Sequence, residues 1–172
     1  RVCAYAELEA LFTIPTPAKT AVCILADKEE VGSDGNTGLN SAFLSYFIED
    51  LSRAQNIPGY RVLRNSKCLS ADVNAAFDPT FPDVAERKNA AMLNRGAVIT
   101  KYTGSRGKSD TSDASAEYVG ETRTMLDKAN ITWQIGELGK VDQGGGGTIA
   151  YYLANQGLDV IDYGGIVELE GK

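Results

Sequence analysis

Apolar positions first repeat at helical spacing. Ala4, Leu8, Leu11 and Phe12 follow the i, i+4, i+7, i+8 pattern, which predicts a helix over residues 1–12, and Pro15 and Pro17 stop it. The next run, TAVCILA (Thr20 to Ala26), is unbroken and β-branched, as in a strand buried on both faces of a parallel sheet. Leu39, Phe43, Phe47 and Leu51, with Leu44 and Ile48 beside them, give one broad helical face. Lys67 to Val73 is a short strand, residues 78–89 are broken by Pro79 and Pro82, and Ala97 to Thr100 is another strand. The stretch GSRGKSDTSD (104–113) predicts a polar loop, followed by a helix over 112–128 that ends near Asn130. A strand over Ile131 to Ile135, a glycine loop, a short helix over Thr148 to Gln156 with Gly157 as its left-handed cap, and a strand over Leu158 to Asp162 complete the pattern.

Strands alternate with helices, so the fold class is α/β, a mostly parallel central sheet flanked by helices. The chain opens on a helix where such a domain usually supplies a strand, so the sheet reads as incomplete at its N-terminal edge. We expect one partial domain over residues 1–172. Arg1 stands where an initiator Met would, as in a segment of a longer polypeptide.

Composition narrows the partners. With 43% apolar and 23% charged residues, the chain has ordinary globular usage. A net charge of −6 without a basic run argues against nucleic acid or an anionic membrane. No apolar run is long enough to span a bilayer. Cys3, Cys23 and Cys68 are odd in number and widely spaced, as in a reduced, cytoplasmic protein.

In open parallel sheets, ligands bind beyond the carboxyl ends of the strands. Asp27, Glu29 and Glu30 follow the strand of Thr20 to Ala26, Asp72 closes another, and a glycine loop follows the strand ending at Ile135. Adjacent carboxylates can divide the work, one ligating a cation while the other takes a proton from metal-bound water. On the residues alone, solvated turn acids explain them as simply. The chain has no histidine, the usual companion of carboxylates at catalytic zinc. The run Gly144 to Gly147 offers a second reading, a dinucleotide- or phosphate-binding loop, with Asp162 as a ribose-binding acid. That fingerprint needs an apolar strand directly before it, and GKVDQ is not one. A third reading is a non-catalytic fragment.

The stretch DKEEVGS (Asp27 to Ser33) resembles the D-x-E-E-[VI]-G-S signature of the aminopeptidase I / aspartyl aminopeptidase family of two-zinc exopeptidases. RVCAYAELEAL at the start, SADVNAAFDP (Ser70 to Pro79), GAVITKYTG (Gly96 to Gly104), GGGGTIA (Gly144 to Ala150) and GLDVIDYG (Gly157 to Gly164) continue the resemblance in order, over nearly the whole chain. It implies a zinc-peptidase-like fold and a metalloaminopeptidase acting on the N-termini of peptides, in a large closed homo-oligomer. Residue by residue, it implies Glu29 as general base, Glu30 and Asp72 as ligands of different zincs, and Asp27 as support behind them. Lys101 would line the pocket for the substrate's first side chain, and Gly145, Gly146, Gly147 and Thr148 would hold substrate. The family's bridging aspartate and its zinc-binding histidines have no counterpart here. The resemblance therefore implies two zincs per complete site but one ligand for each from this chain, and no activity from these residues alone.

Overall fold

The computed structural model describes residues 1–106, 109–140 and 142–168. The central sheet has four strands in the order β1-β6-β2-β5: β1 (Lys67–Ala75), β2 (Ala97–Thr100), β5 (Trp133–Ile135) and β6 (Asp159–Glu168). β1 runs parallel to β6 and β2 parallel to β5, while β2 and β6 are antiparallel. The sheet is thus mixed and mostly parallel.

β6 explains the layering. Successive strand residues point to opposite faces, and Val160 and Ile161 enter two different cores. Val160 packs with Leu39, Leu44, Ala150 and Leu153, contributed in part by α2 (Phe43–Arg53) and α5 (Ala150–Ala154). Ile161 packs with Ile99, Ala114, Tyr118 and Leu126, three of them on or beside α4 (Ala116–Lys128). Helices therefore cover both faces. Ser115 caps α4, its hydroxyl accepting from the Tyr118 N–H at 3.2 Å. Asn130, at φ 54°, turns the chain out of α4 into β5. Gly157 takes the expected left-handed conformation, at φ 94°.

Three expectations change. Thr20–Ala26 forms no ladder among the described residues. Ile24 and Ala26 pack against the first core, whereas Val22 and Leu25 remain 43% and 55% exposed. β-Propensity favours an extended backbone but supplies no neighbouring strand, and the run touches the described fold as an extended ridge buried on one side. The expected loop over 104–113 is largely a hairpin, β3 (Tyr102–Ser105) with β4 (Ser109–Asp113); residues 107 and 108 of that stretch lie outside the described residues. Its polar sequence pairs because Thr103 and Ser112 are buried on the domain. The helix expected from residue 112 accordingly starts at Ala116. A further short helix, α3 (Gly59–Arg64), lacks a strong periodic signal; the Glu49 carboxylate accepts from its first N–H, Gly59, at 2.7 Å.

The first helix, α1 (Val2–Thr13), forms as expected but buries no residue fully, and Val2, Tyr5 and Phe12 are 50%, 65% and 76% exposed. Among the described residues, no helix is long and apolar enough to cross a membrane.

Candidate active site

The acidic loop is held by its own turn. Lys28 sits at φ 60° and reverses the chain, so that Glu29–Val31 form a single 3-10 turn closed by the Gly32 N–H on the Glu29 carbonyl at 3.0 Å. The Ser33 N–H returns to the Lys28 carbonyl at 2.8 Å. Gly38 packs directly on this turn: a Cβ there would lie 2.0 Å from the Ser33 carbonyl oxygen, so only glycine fits. Asp27 bridges Gly38 through the backbone and accepts weakly from the Thr37 hydroxyl at 3.4 Å. From α5, the Tyr152 hydroxyl donates to the Gly32 carbonyl at 2.9 Å. These constraints place Glu29 half-buried and Glu30 exposed.

Asp72 faces this turn from β1. It does not close the strand, which continues to Ala75; it sits at a register shift, where Asp72 pairs with Gly164 and Val73 already pairs with Ile166. The Val73 N–H donates to its carboxylate at 2.7 Å. The three acids sense one another: the Glu29 carboxyl is raised above the usual range by partial burial first, then by the charges of Glu30 and Asp72. Glu30 and Asp72 thus lie within range of Glu29, although the first of the expected strands is absent among the described residues and Asp72 lies inside its strand.

A second group adjoins the first through Asp162. This residue is 8% exposed, and burial pushes its carboxyl up to about 6, with Asp72 adding to the rise. The Ser70 and Thr148 hydroxyls lie near enough to oppose that shift, yet neither closes to a full hydrogen bond within the described residues. Glu137, two residues past β5, is raised to about 7, chiefly by burial; a hydrogen bond from the Tyr102 backbone and the charge of Lys101 oppose it, and Asp113 and Asp162 add to it. Lys101, just past β2, pairs with Asp113 of β4. The glycine loop docks on the hairpin, with the Gly104 N–H donating to the Gly146 carbonyl at 3.0 Å. Gly145, at φ 99°, lies so close that a Cβ would stand 2.3 Å from the Gly104 oxygen. Gly147 is exposed, and Thr148 leads to α5 beside Asp162.

Glu137 had no place in the sequence reading, although the strand-end rule that singled out Asp72 also points to the loop beginning at Gly136. Asp162 stood only as a ribose-binding acid. The geometry does not favour that use: β5 ends at Ile135, well before Gly144, and the helix after the glycines is five residues long. Residues 169–172 of the terminal GGIVELEGK lie outside the described residues.

The donor set can be weighed against zinc directly. Zinc usually takes about four ligands. Glu30 and Asp72 are exposed carboxylates able to give one each. Among the described residues there is no group of three or more His, Cys, Asp or Glu placed to hold a metal. These two carboxylates alone fall short of that ligand number.

A mostly parallel sheet flanked by helices, with three carboxylates near one another, defines an α/β protein with an acidic loop beside its sheet. The chain belongs to the aminopeptidase I zinc metalloprotease (M18) family, whose profile matches residues 1–167. It is 50% identical over 168 residues to a probable M18 family aminopeptidase 1 of Clostridium acetobutylicum, covering 95% of this chain and 36% of that protein. The crystal structure of an M18-family aminopeptidase from Thermotoga maritima superposes with a TM-score of 0.87 at 44% identity, covering 95% of this chain and 37% of that one. A yeast protein, mApe1, solved as a dodecamer, is 25% identical with a TM-score of 0.71, over 99% of this chain and 38% of that one. The chain thus spans about 36% of the length of the first of these relatives.

Proposed function

We propose that these residues are the core of a two-zinc aminopeptidase that releases N-terminal amino acids from peptides. The observation that carries this reading is the placement of a partly buried Glu29 within the field of both Glu30 and Asp72. Glu29, half-buried and raised in pKa, takes the proton from the attacking water. Glu30 gives a ligand to one zinc and Asp72 to the other, with further ligands supplied by the complete polypeptide. Asp27 steadies the turn that carries both glutamates. Zinc, when bound, supplies Lewis-acid polarisation and a lowered water pKa. Gly145, Gly146, Gly147 and Thr148 hold the substrate backbone, and Lys101 stands at its first side chain. The dodecameric yeast relative supports a closed homo-oligomer, and the three widely spaced cysteines suit a reducing cytoplasm.

Metal analysis and a peptide-release assay on the complete polypeptide test this. We expect about two equivalents of zinc and release of single N-terminal residues, abolished by chelation and restored by zinc. A metal-free, inactive polypeptide removes the reading. Two carboxylates do not make a tight zinc site, so the 172-residue chain alone is expected to be inactive.

Lys101 refines the substrate. Its ammonium is paired with Asp113, and Glu137 lies within its field. One cation among two acids offers little to an acidic side chain, so the pocket favours neutral N-terminal residues. Substituting Asp113→Asn frees the lysine and is expected to raise the kcat/KM ratio of N-terminal Glu over Leu by about tenfold, or about 1.4 kcal/mol. An unchanged ratio on aminoacyl anilides would remove Lys101 from the pocket.

A further inference from the structure

The proposed chemistry leaves Asp162 without a task. It sits in the middle of the sheet, its backbone paired with Ser70 of β1 on one side and Thr100 of β2 on the other. A cavity of about 20 Å³ opens there, lined by Ser70, Asp72, Asn74, Thr100, Thr148 and Asp162 among others, and no basic residue lines it. Ser70, Asn74 and Asp162 are only 5%, 5% and 8% exposed.

Four of the lining oxygens are buried without a hydrogen-bond partner among the described residues: Ser70 Oγ, Asn74 Oδ1, Thr148 Oγ1 and Asp162 Oδ1. The neighbouring groups are satisfied. Asn74 Nδ2 donates to Thr100 Oγ1 at 2.7 Å, and that hydroxyl donates to the Gly136 carbonyl at 2.8 Å. This chain orients Asn74 with its carbonyl oxygen free. Leaving a buried polar group unpaired is costly, so four together call for an occupant. A cavity above roughly 10–15 Å³ accepts one water, which needs two to four polar partners. The chemistry is complementary. Asp162 Oδ1 and Asn74 Oδ1 can accept the two hydrogens of a water, and the Ser70 and Thr148 hydroxyls can donate to its two lone pairs. A hard cation, by contrast, would want six or more oxygens.

We propose that Asp162 is a positioning residue: with Ser70, Asn74 and Thr148 it holds one buried water that ties the glycine loop to the strand carrying Asp72. Three of the partners lie on β1 and β6, and the fourth, Thr148, ends the glycine loop. The water therefore sets where that loop stands against the sheet. What the loop positions rests on the proposed function; the water itself does not.

Crystal structures of the complete polypeptide, paired with kinetics, test this. The wild type is expected to show one density peak within hydrogen-bond distance of all four oxygens. Asp162→Asn, which keeps polar atoms in place, retains the peak and keeps KM within about threefold. Asp162→Leu expels the water and raises KM about tenfold with zinc content unchanged. If that variant does not fold, Ser70→Ala, which removes only a hydroxyl outside the proposed substrate-holding set, decides, with loss of the density peak and the same rise expected. An empty or collapsed wild-type cavity overturns the proposal, as does an unchanged KM in the folded variant. A polypeptide that cleaves no peptide overturns the proposed function instead, and the density still decides the water.

Discussion

Replacing Glu29 with glutamine lowers kcat of the complete polypeptide by about 10²–10⁴-fold, the contribution typical of a positioned general base, and leaves its zinc in place. Glutamine matches the shape of glutamate and cannot take a proton. The turn should survive, because its closing bonds are made by backbone: Gly32 N–H to the Glu29 carbonyl and Ser33 N–H to the Lys28 carbonyl, at 3.0 and 2.8 Å. The substitution also removes one of three mutually repelling charges, so the metal-free variant is expected to be at least as stable as the parent. Lost turnover with unimpaired stability marks a residue kept for chemistry rather than for the fold. The effect should fall on kcat and kcat/KM together, as for a group acting only in the transition state. Activity within about threefold of the parent, or zinc lost with the carboxylate, would end the assignment.

Where the sequence could be read, one residue's neighbourhood decided its state. Ala97–Thr100 is a short apolar run, and all four residues are buried. Gly157 announces the end of α5. Where reading failed, distant partners decided. Ser109–Asp113 has the composition of a loop and pairs as a strand because Thr103 and Ser112 find a buried surface. Thr20–Ala26 has the composition of a central strand, yet Val22 and Leu25 stay exposed because no described strand lies alongside. The acidic site followed the same division. Glu29, Glu30 and Asp72 could be placed together because the family signature is a linear feature, although the strand ends assumed beside it were not where the sequence put them. Glu137 and Asp162 matter through burial, which raises both carboxyls and which no spacing records. Family membership then supports the proposed meaning of the visible acids, while the pairing of Lys101 with Asp113 needed the hairpin that the sequence concealed.

Substituting Asp72→Asn is expected to separate metal binding from the fold. The Val73 N–H donates to the Asp72 carboxylate at 2.7 Å, at the register shift between β1 and β6. An asparagine carbonyl oxygen can accept that same bond, which directs the amide nitrogen, a donor that cannot ligate, toward the metal. Asp72 is also exposed, so the exchange opens no cavity. We therefore expect the denaturation midpoint of the metal-free protein to hold and the zinc content to fall by about one equivalent. Turnover should fall by more than the roughly 10–100-fold that loss of an outer hydrogen-bond partner brings, because the ligand itself is gone. The contrast with Glu29→Gln is the sharper test: one substitution keeps the metal and stops the chemistry, the other loses metal first. If Asp72→Asn retains its full zinc complement by elemental analysis, Asp72 is a strand acid held by its own backbone, and the second metal lies elsewhere.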